Sequence, residues 1–249
     1  MSRVPIKTAE EIELMRQTCK LASSTLDFIS KEVKEGVSTL KLNDLCHQYI
    51  MDHGAYPAPL NYHGFPKSIC TSLNEVICHG IPSEKDILKN GDILNIDVTT
   101  RLNGYHGDTN RTFLIGEVKP EVKRLVDITK QSLEKAIAIV KPGARLGDIG
   151  HCIESFAHEN DLTVVHEYCG HGIGKDFHEE PQVLHYGRAN TGIELKEGMT
   201  FTIEPMVNLG QRYSKLLKDG WTVVTKDRKP SAQFEHTILV TKEGSEVLT

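Results

Sequence analysis

The sequence predicts an α+β fold in which one order of helices and antiparallel strands occurs twice. Three observations carry that expectation: a capping box opening a long amphipathic stretch, an Asn-Gly turn between two apolar runs, and a self-match at a fixed offset. "VKEG" at 33–36 matches "VKPG" at 140–143, and "KNGDILNID" ending at Asp97 matches "KEGMTFTIE" ending at Glu204. Both give one spacing, 140 − 33 = 107 and 204 − 97 = 107. A single doubling of that length describes two halves of one domain over 1–249, about 8–116 and 117–245, and not a solenoid of short repeats.

Each element has a local reason. Thr8 and Glu11 in "TAEE" form the pattern that satisfies orphan amides at a helix start. Ile12, Met15, Cys19, Ala22, Leu26 and Ile29 follow at helical spacing, so a helix is expected over 8–33. A second is expected over 39–53, stopped near Gly54, with strands around Ile69 and Ile77. "ILNIDVTTRLNGYHGDTNRTFLIG" then reads as a hairpin, because a type I′ turn needs positive φ at both central residues, here Asn103 and Gly104. With that two-residue loop, paired positions sum to 207, so Thr99 faces Asp108 and Asp97 points to the same side of the sheet. In the second half, Pro120 fits the first turn of a helix running to about 140. "GDIGHCIESFAHEN" reads as another helix, and "LTVVHEY", "GMTFTIEPM" and "SAQFEHTILVT" as extended runs.

Composition excludes several classes. A formal charge of −5 argues against a general nucleic-acid grip. No signal-peptide pattern opens the chain, and no apolar run approaches the ~18 residues of a membrane span. The six cysteines (Cys19, Cys46, Cys70, Cys78, Cys152, Cys169) form no CxxC, which fits reduced thiols in a cytoplasmic protein. Nothing in the sequence demands more than a monomer.

The chemistry lies in acids placed where core side chains belong. Asp97 and Asp108 share one face of the hairpin, so they hold a proton between them or a cation sits there. The duplication gives Asp97 a counterpart in Glu204, and Asp108 one in Glu235 on the next extended run. Any one of them alone reads as a strand-end carboxylate. Four buried carboxylates cannot all stay ionised without cations, and two divalent metals would neutralise them. His171, flanked by glycines in "YCGHGIGKDFHEEP", supplies the nitrogen donor the set lacks, with glycines that let the backbone approach a bound group. His79 and His178 read as facing substrate, with a metal-facing role as the alternative. An oxygen-rich site suits Mn, Fe or Co better than a closed thiolate zinc site.

"NEVICHGIP", "NIDVTTRLNGYHGDTNRTF", "YCGHGIGKDFHEEP", "GMTFTIEPM" and "SAQFEHTI" together resemble the type I methionine aminopeptidases, metallopeptidases of the pita-bread fold. The resemblance implies a curved antiparallel sheet core with helices on its outer face, pseudo-twofold halves, and two divalent ions per chain (Co, Mn, Fe, Ni or Zn). It implies Asp97, Asp108 and Glu235 on one ion, and Asp108, His171, Glu204 and Glu235 on the other. Glu204 is also catalytic by this resemblance, and His79 and His178 contact substrate and steady the tetrahedral intermediate. The methionine pocket maps onto Tyr62, Phe65, Cys70, Phe177 and Trp221, with Pro59 where some bacterial members carry Cys. The interval from Glu204 to Glu235, 235 − 204 = 31 residues, is too short for the type II insertion, and the short N-terminal arm fits the minimal bacterial type.

The implied substrate is the N-terminal Met of nascent chains, released when the second residue is small. A transient ribosome contact through the basic run 215–229 stands against the plainer reading of a solvated loop. Two rival readings are a proline-specific relative, which usually carries an extra N-terminal domain, and an inactive peptide-binding member, which typically lacks metal ligands. The chain's own start, Met1 before Ser2, matches the implied specificity. The mature protein is therefore expected to begin at Ser2, read by intact mass of the untagged protein, and Ser2→Leu is expected to block the removal.

Overall fold

The computed structural model describes residues 4–249, so the expected cleavage between Met1 and Ser2 lies outside the described residues. Thr8 caps α1 (Ala9–Ser30): its hydroxyl accepts from the Glu11 amide at 3.3 Å, and the Glu11 carboxylate accepts from the Thr8 amide at 2.9 Å. The helix stops short of 33 because the Glu32 amide donates back to Ile29 at 2.9 Å, a tighter i to i−3 turn that ends the coil. Ser38 caps α2 (Thr39–Asp52), and Gly54 follows with φ +73°. In the second half come α3 (Pro120–Ala138) and α4 (Leu146–Glu159). The bounds of α2 and α4 differ by the offset seen in the sequence, 146 − 39 = 107 and 159 − 52 = 107.

The hairpin has the expected register. Strands Ile93–Leu102 and Tyr105–Leu114 pair without interruption from Ile93↔Leu114 to Leu102↔Tyr105, with Thr99 opposite Asp108. Asn103 and Gly104 turn the chain with φ of +53° and +83°. Strands Cys70–Leu73 and Tyr56–Pro57 extend this sheet along Ile93–Leu102, antiparallel. A five-stranded antiparallel sheet in the other half runs Ser245–Val247, His236–Val240, Thr200–Ile203, Gly170–Gly172, Glu179–Val183.

Threonine side chains join the hairpin to segments of the second half. Thr237 Oγ1 donates to the Asp108 carbonyl at 2.8 Å, Thr109 Oγ1 to Glu235 at 2.8 Å, and Thr112 Oγ1 to Gln233 at 2.7 Å. Two expected strands are shorter than the sequence suggests. "LTVVHEY" is extended only over Thr163–Val164, and "GMTFTIEPM" divides into Thr200–Ile203 and Met206–Asn208. Glu204 and Pro205 form the break, where Pro205 has no amide for the ladder.

Each half buries its own apolar cluster, one around Leu26, Leu42, Ile50 and Ile96, the other around Leu125, Ile153, Phe201 and Ile238. A third, with Met15, Cys19, Ile173 and Leu239, lies where α1 meets the second half's sheet. The approach of α1 to the hairpin is close: a Cβ at Gly107 would lie 2.5 Å from the Cys19 amide nitrogen. Backbone cannot yield as a flexible side chain can. Gly107→Ala is expected to cost about 1–3 kcal/mol of stability, as overpacking does. The urea midpoint reads it, and an unchanged midpoint would contradict the close packing.

Candidate metal centre

The seam between the sheets gathers the acids. Asp108 projects from Tyr105–Leu114, and its Oδ1 accepts from the Thr99 hydroxyl across the hairpin at 2.7 Å. Asp97 lies on the neighbouring strand, two residues before Thr99, so it shares a face of the hairpin with Asp108. Glu235 sits between the strands Ser231–Gln233 and His236–Val240, on a lone bridge to Asn110. Asn110 Nδ2 donates to Glu235 Oε2 at 2.8 Å, whereas the buried Oε1 has no partner. Glu204, at the Pro205 break, accepts from Thr202 Oγ1 at 2.7 Å and from Gln233 Nε2 at 3.2 Å.

His171 completes the group. Its Nε2 lies 3.7 Å from Asp108 Oδ2 and 3.7 Å from Glu204 Oε1, while Nδ1 hydrogen-bonds the Gly172 carbonyl at 3.0 Å. That bond puts the proton on Nδ1 and leaves Nε2 as the free donor atom toward the acids. Ligand atoms of Asp108, His171 and Glu235 lie within 4.8 Å of one another. The glycines beside His171 also admit neighbouring strands: a Cβ at Gly170 would meet the Thr202 carbonyl at 2.4 Å, and one at Gly172 the Glu180 carbonyl at 2.1 Å.

Burial controls the charges. It raises Asp97 to about 7, with the Asp108 hydrogen bond working against it, and raises Glu204 to about 8. Asp108 and Glu235 stand well above the usual carboxylate range, first through burial and then through the neighbouring acids. No lysine or arginine among the described residues forms an ion pair with any of the four. Burial also lowers His171 to about 4, which keeps its imidazole neutral as metal ligation requires.

A cleft of about 620 Å³ opens above these acids, lined by Tyr62, Phe65, Cys70, Phe177 and Trp221, with Pro59 at its edge. Phe65 and Trp221 meet edge to face at 5.2 Å, and Tyr62 lies 4.9 Å from Phe177. His79 has φ +56° and rests edge-on against Tyr168 and Trp221. His178 stacks on Phe177 at 4.4 Å, and its Nδ1 shares a 2.7 Å hydrogen bond with the Tyr62 hydroxyl. Burial lowers both histidines, His178 to about 3.

Asn110, Thr202 and Gln233 were not singled out from the sequence, yet each, like Thr99, orients a carboxylate. Period-2 reading offers a signal for them: Thr99 is two residues beyond Asp97, Thr202 two before Glu204, and Gln233 two before Glu235. His185 had no such signal. It is fully buried, and its Nε2 accepts from the Glu204 amide at 3.2 Å.

Residues 13–242 match Metallopeptidase family M24. A methionine aminopeptidase of Rickettsia prowazekii is 56% identical over 247 residues, spanning 99% of this chain and 95% of the relative. The methionine aminopeptidase of Escherichia coli strain K12 is 53% identical, over 99% of this chain and 94% of its own. The crystal structure of the Rickettsia prowazekii methionine aminopeptidase superposes with a TM-score of 0.98 at 55% identity, covering 99% of this chain and all of that one. Fold, acid set and full-length similarity agree: the chain belongs to metallopeptidase family M24 and, within it, to the methionine aminopeptidases of the pita-bread fold.

Proposed function

We propose that this chain removes N-terminal methionine from nascent proteins and peptides whose second residue is small, by hydrolysis at a centre of two divalent metal ions. The observation that carries the reading is the buried set Asp97, Asp108, His171, Glu204 and Glu235 at the floor of an aromatic cleft. The residues fit metal: four carboxylates lack a lysine or arginine partner among the described residues, the imidazole is neutral, and Glu235 Oε1 is a buried acceptor without a donor. In this reading Asp97, Asp108 and Glu235 would hold one ion, and Asp108, His171, Glu204 and Glu235 would hold the other. The donor set favours Mn, Fe or Co, with Ni and Zn as alternatives. Bound there, the ions supply a lowered water pKa and Lewis acidity toward a peptide carbonyl.

The chain's own groups do the rest. Tyr62, Phe65, Cys70, Phe177 and Trp221 take the methionine side chain, whose thioether makes favourable sulfur–aromatic contacts. Tyr62 engages His178 Nδ1, leaving Nε2 to donate to the carbonyl oxygen as charge develops there. His79 contributes beside Trp221 on the other wall. Glu204, oriented by Thr202 and Gln233, accepts the proton of the attacking water and passes it to the leaving amine. The second residue must lie against the crowded acids, which restricts it to small side chains. The halves 8–116 and 117–245 act as one catalytic domain in a cytoplasmic monomer, and exposed Lys215, Lys218, Lys226 and Lys229 offer transient ribosome contact. No described helix is long and apolar enough to cross a membrane.

Peptide release separates the rival readings: Met-Ala should be cleaved and Ala-Pro should not, a proline-specific relative would favour Ala-Pro and Met-Pro over Met-Ala, and an inactive binder would cleave none. Asp108→Asn and Glu235→Gln should each abolish activity and lower metal content, because each carboxylate would supply charge that holds the ions. Activity within about tenfold of wild type would end the dinuclear reading. His79→Ala and His178→Ala should keep their metal and lose on the order of 10²–10³ in rate. Metal loss from either would move it among the ligands.

Chelation should expose the buried acids as a pH dependence. Their folded-state pKa values are raised, to about 7 for Asp97 and about 8 for Glu204, so the native state holds protons that the unfolded chain has released. Stability must then fall as pH rises toward the folded values. The lowered histidines act oppositely, but only below their unfolded value of about 6.5. Between about pH 7 and 8 the acids dominate, and the melting midpoint of the chelated protein should drop, with added Mn²⁺ reversing the drop. A midpoint that rises over this window without metal would contradict it.

A further inference from the structure

Lys7 belongs to no helix or strand, yet its side chain is only 6% exposed. Its amide donates to the Gly198 carbonyl at 2.8 Å, and its Nζ reaches Glu179 Oε2 at 2.5 Å, with Glu179 itself 11% exposed. The ammonium lies over Gly174, where an added Cβ would sit 2.4 Å from Nζ. The other Glu179 oxygen accepts from the Asp176 amide at 3.2 Å. One carboxylate therefore ties the turn 174–179 to itself and to Lys7. Phe177 and His178 stand on that turn. Gly174 also accepts from the His106 amide at 2.8 Å, and the His106 ring stacks on Phe177 at 5.6 Å and 10°.

We propose that Lys7 is a positioning residue for methionine removal, acting through Glu179 to hold the 174–179 turn so that Phe177 walls the pocket and His178 meets the substrate. This rests on the function proposed above. Removing one member of a buried ion pair leaves the other charge uncompensated, so the turn must rearrange and not merely loosen. A shift of about 1 Å in such a turn is enough to cost about a hundredfold in rate.

The test uses the full-length, Mn²⁺-loaded chain and a Met-Ala-Ser peptide, with Lys7→Met, Lys7→Arg, Glu179→Gln and the double variant Lys7→Met/Glu179→Gln. Lys7→Met should raise KM through the pocket wall and lower kcat through His178, losing about a hundredfold in kcat/KM with metal content unchanged. Hydrogen exchange over 174–180 should quicken, most at the Asp176 amide. Lys7→Arg, which restores the charge, should recover most of both readouts, and the double variant should lose less than the product of the single losses. If Lys7→Met fails to fold, Glu179→Gln carries the same comparison. A wild type that releases no methionine would overturn the function itself. An active wild type with Lys7→Met within about threefold in both KM and kcat, or with kcat lowered only in step with the folded fraction, would overturn the positioning role alone.

Discussion

Four carboxylates enclosed between two sheets, with no lysine or arginine among the described residues to pair with them, set the terms for the surrounding structure. Taking one charge out of water costs several kcal/mol, and taking out four of one sign adds their mutual repulsion. The protein does not answer with buried cations of its own. It answers with neutral donors, each fixed by a strand. Thr99 holds Asp108, Asn110 holds Glu235, and Thr202 and Gln233 hold Glu204. Such donors orient a carboxylate without cancelling its charge, so the set remains available to an added cation. A protein lysine in the same place would satisfy the acids and end the chemistry.

Holding that arrangement requires rigid strands on both sides of the seam, and antiparallel strands from both parts of the chain supply them. Asp97 comes from the middle of Ile93–Leu102 and Asp108 from Tyr105–Leu114, Glu204 follows Thr200–Ile203 and Glu235 lies between two short strands, and the threonine bonds join the segments where the acids meet. Elsewhere the same tightness appears as glycine. Gly170 and Gly172 allow the His171 strand to lie between its neighbours, and Gly107 allows α1 to press on the hairpin. The imidazole is therefore aimed by backbone packing, with Nδ1 fixed on the Gly172 carbonyl.

The parts legible in the sequence were those fixed by short-range geometry. Asn103-Gly104 decides the hairpin, the hairpin decides the register, and the register puts Thr99 against Asp108. Thr8 with Glu11 decides where α1 begins. The helix end at Ser30 was less legible, because one backward bond from Glu32 outweighed a continuing apolar pattern. The glycines beside His171 were read only for a bound group, because the strands they also admit are distant in sequence. Glu204 was read inside the unbroken extended run "GMTFTIEPM", but Pro205 interrupts the ladder beside it. Lys7 left no trace in any local pattern, since its partner is 172 residues away.

The histidines complete the electrostatics. His79, His106, His171 and His178 all lie in or beside the cleft, and burial pushes each below the ordinary imidazole value. For His178 the nearby imidazoles add to that effect, so protonating one would make the others harder to protonate. The consequence concerns the substrate. A free amino terminus carries positive charge in solution, and a cleft walled by imidazolium would repel it. Neutral imidazoles do not, and they still donate through their remaining N–H toward a carbonyl that gains negative charge. An acidic floor beneath neutral walls thus admits a chain end while keeping the donors that hydrolysis needs. The same burial that makes the acids costly keeps the histidines neutral, so one enclosed seam accounts for both.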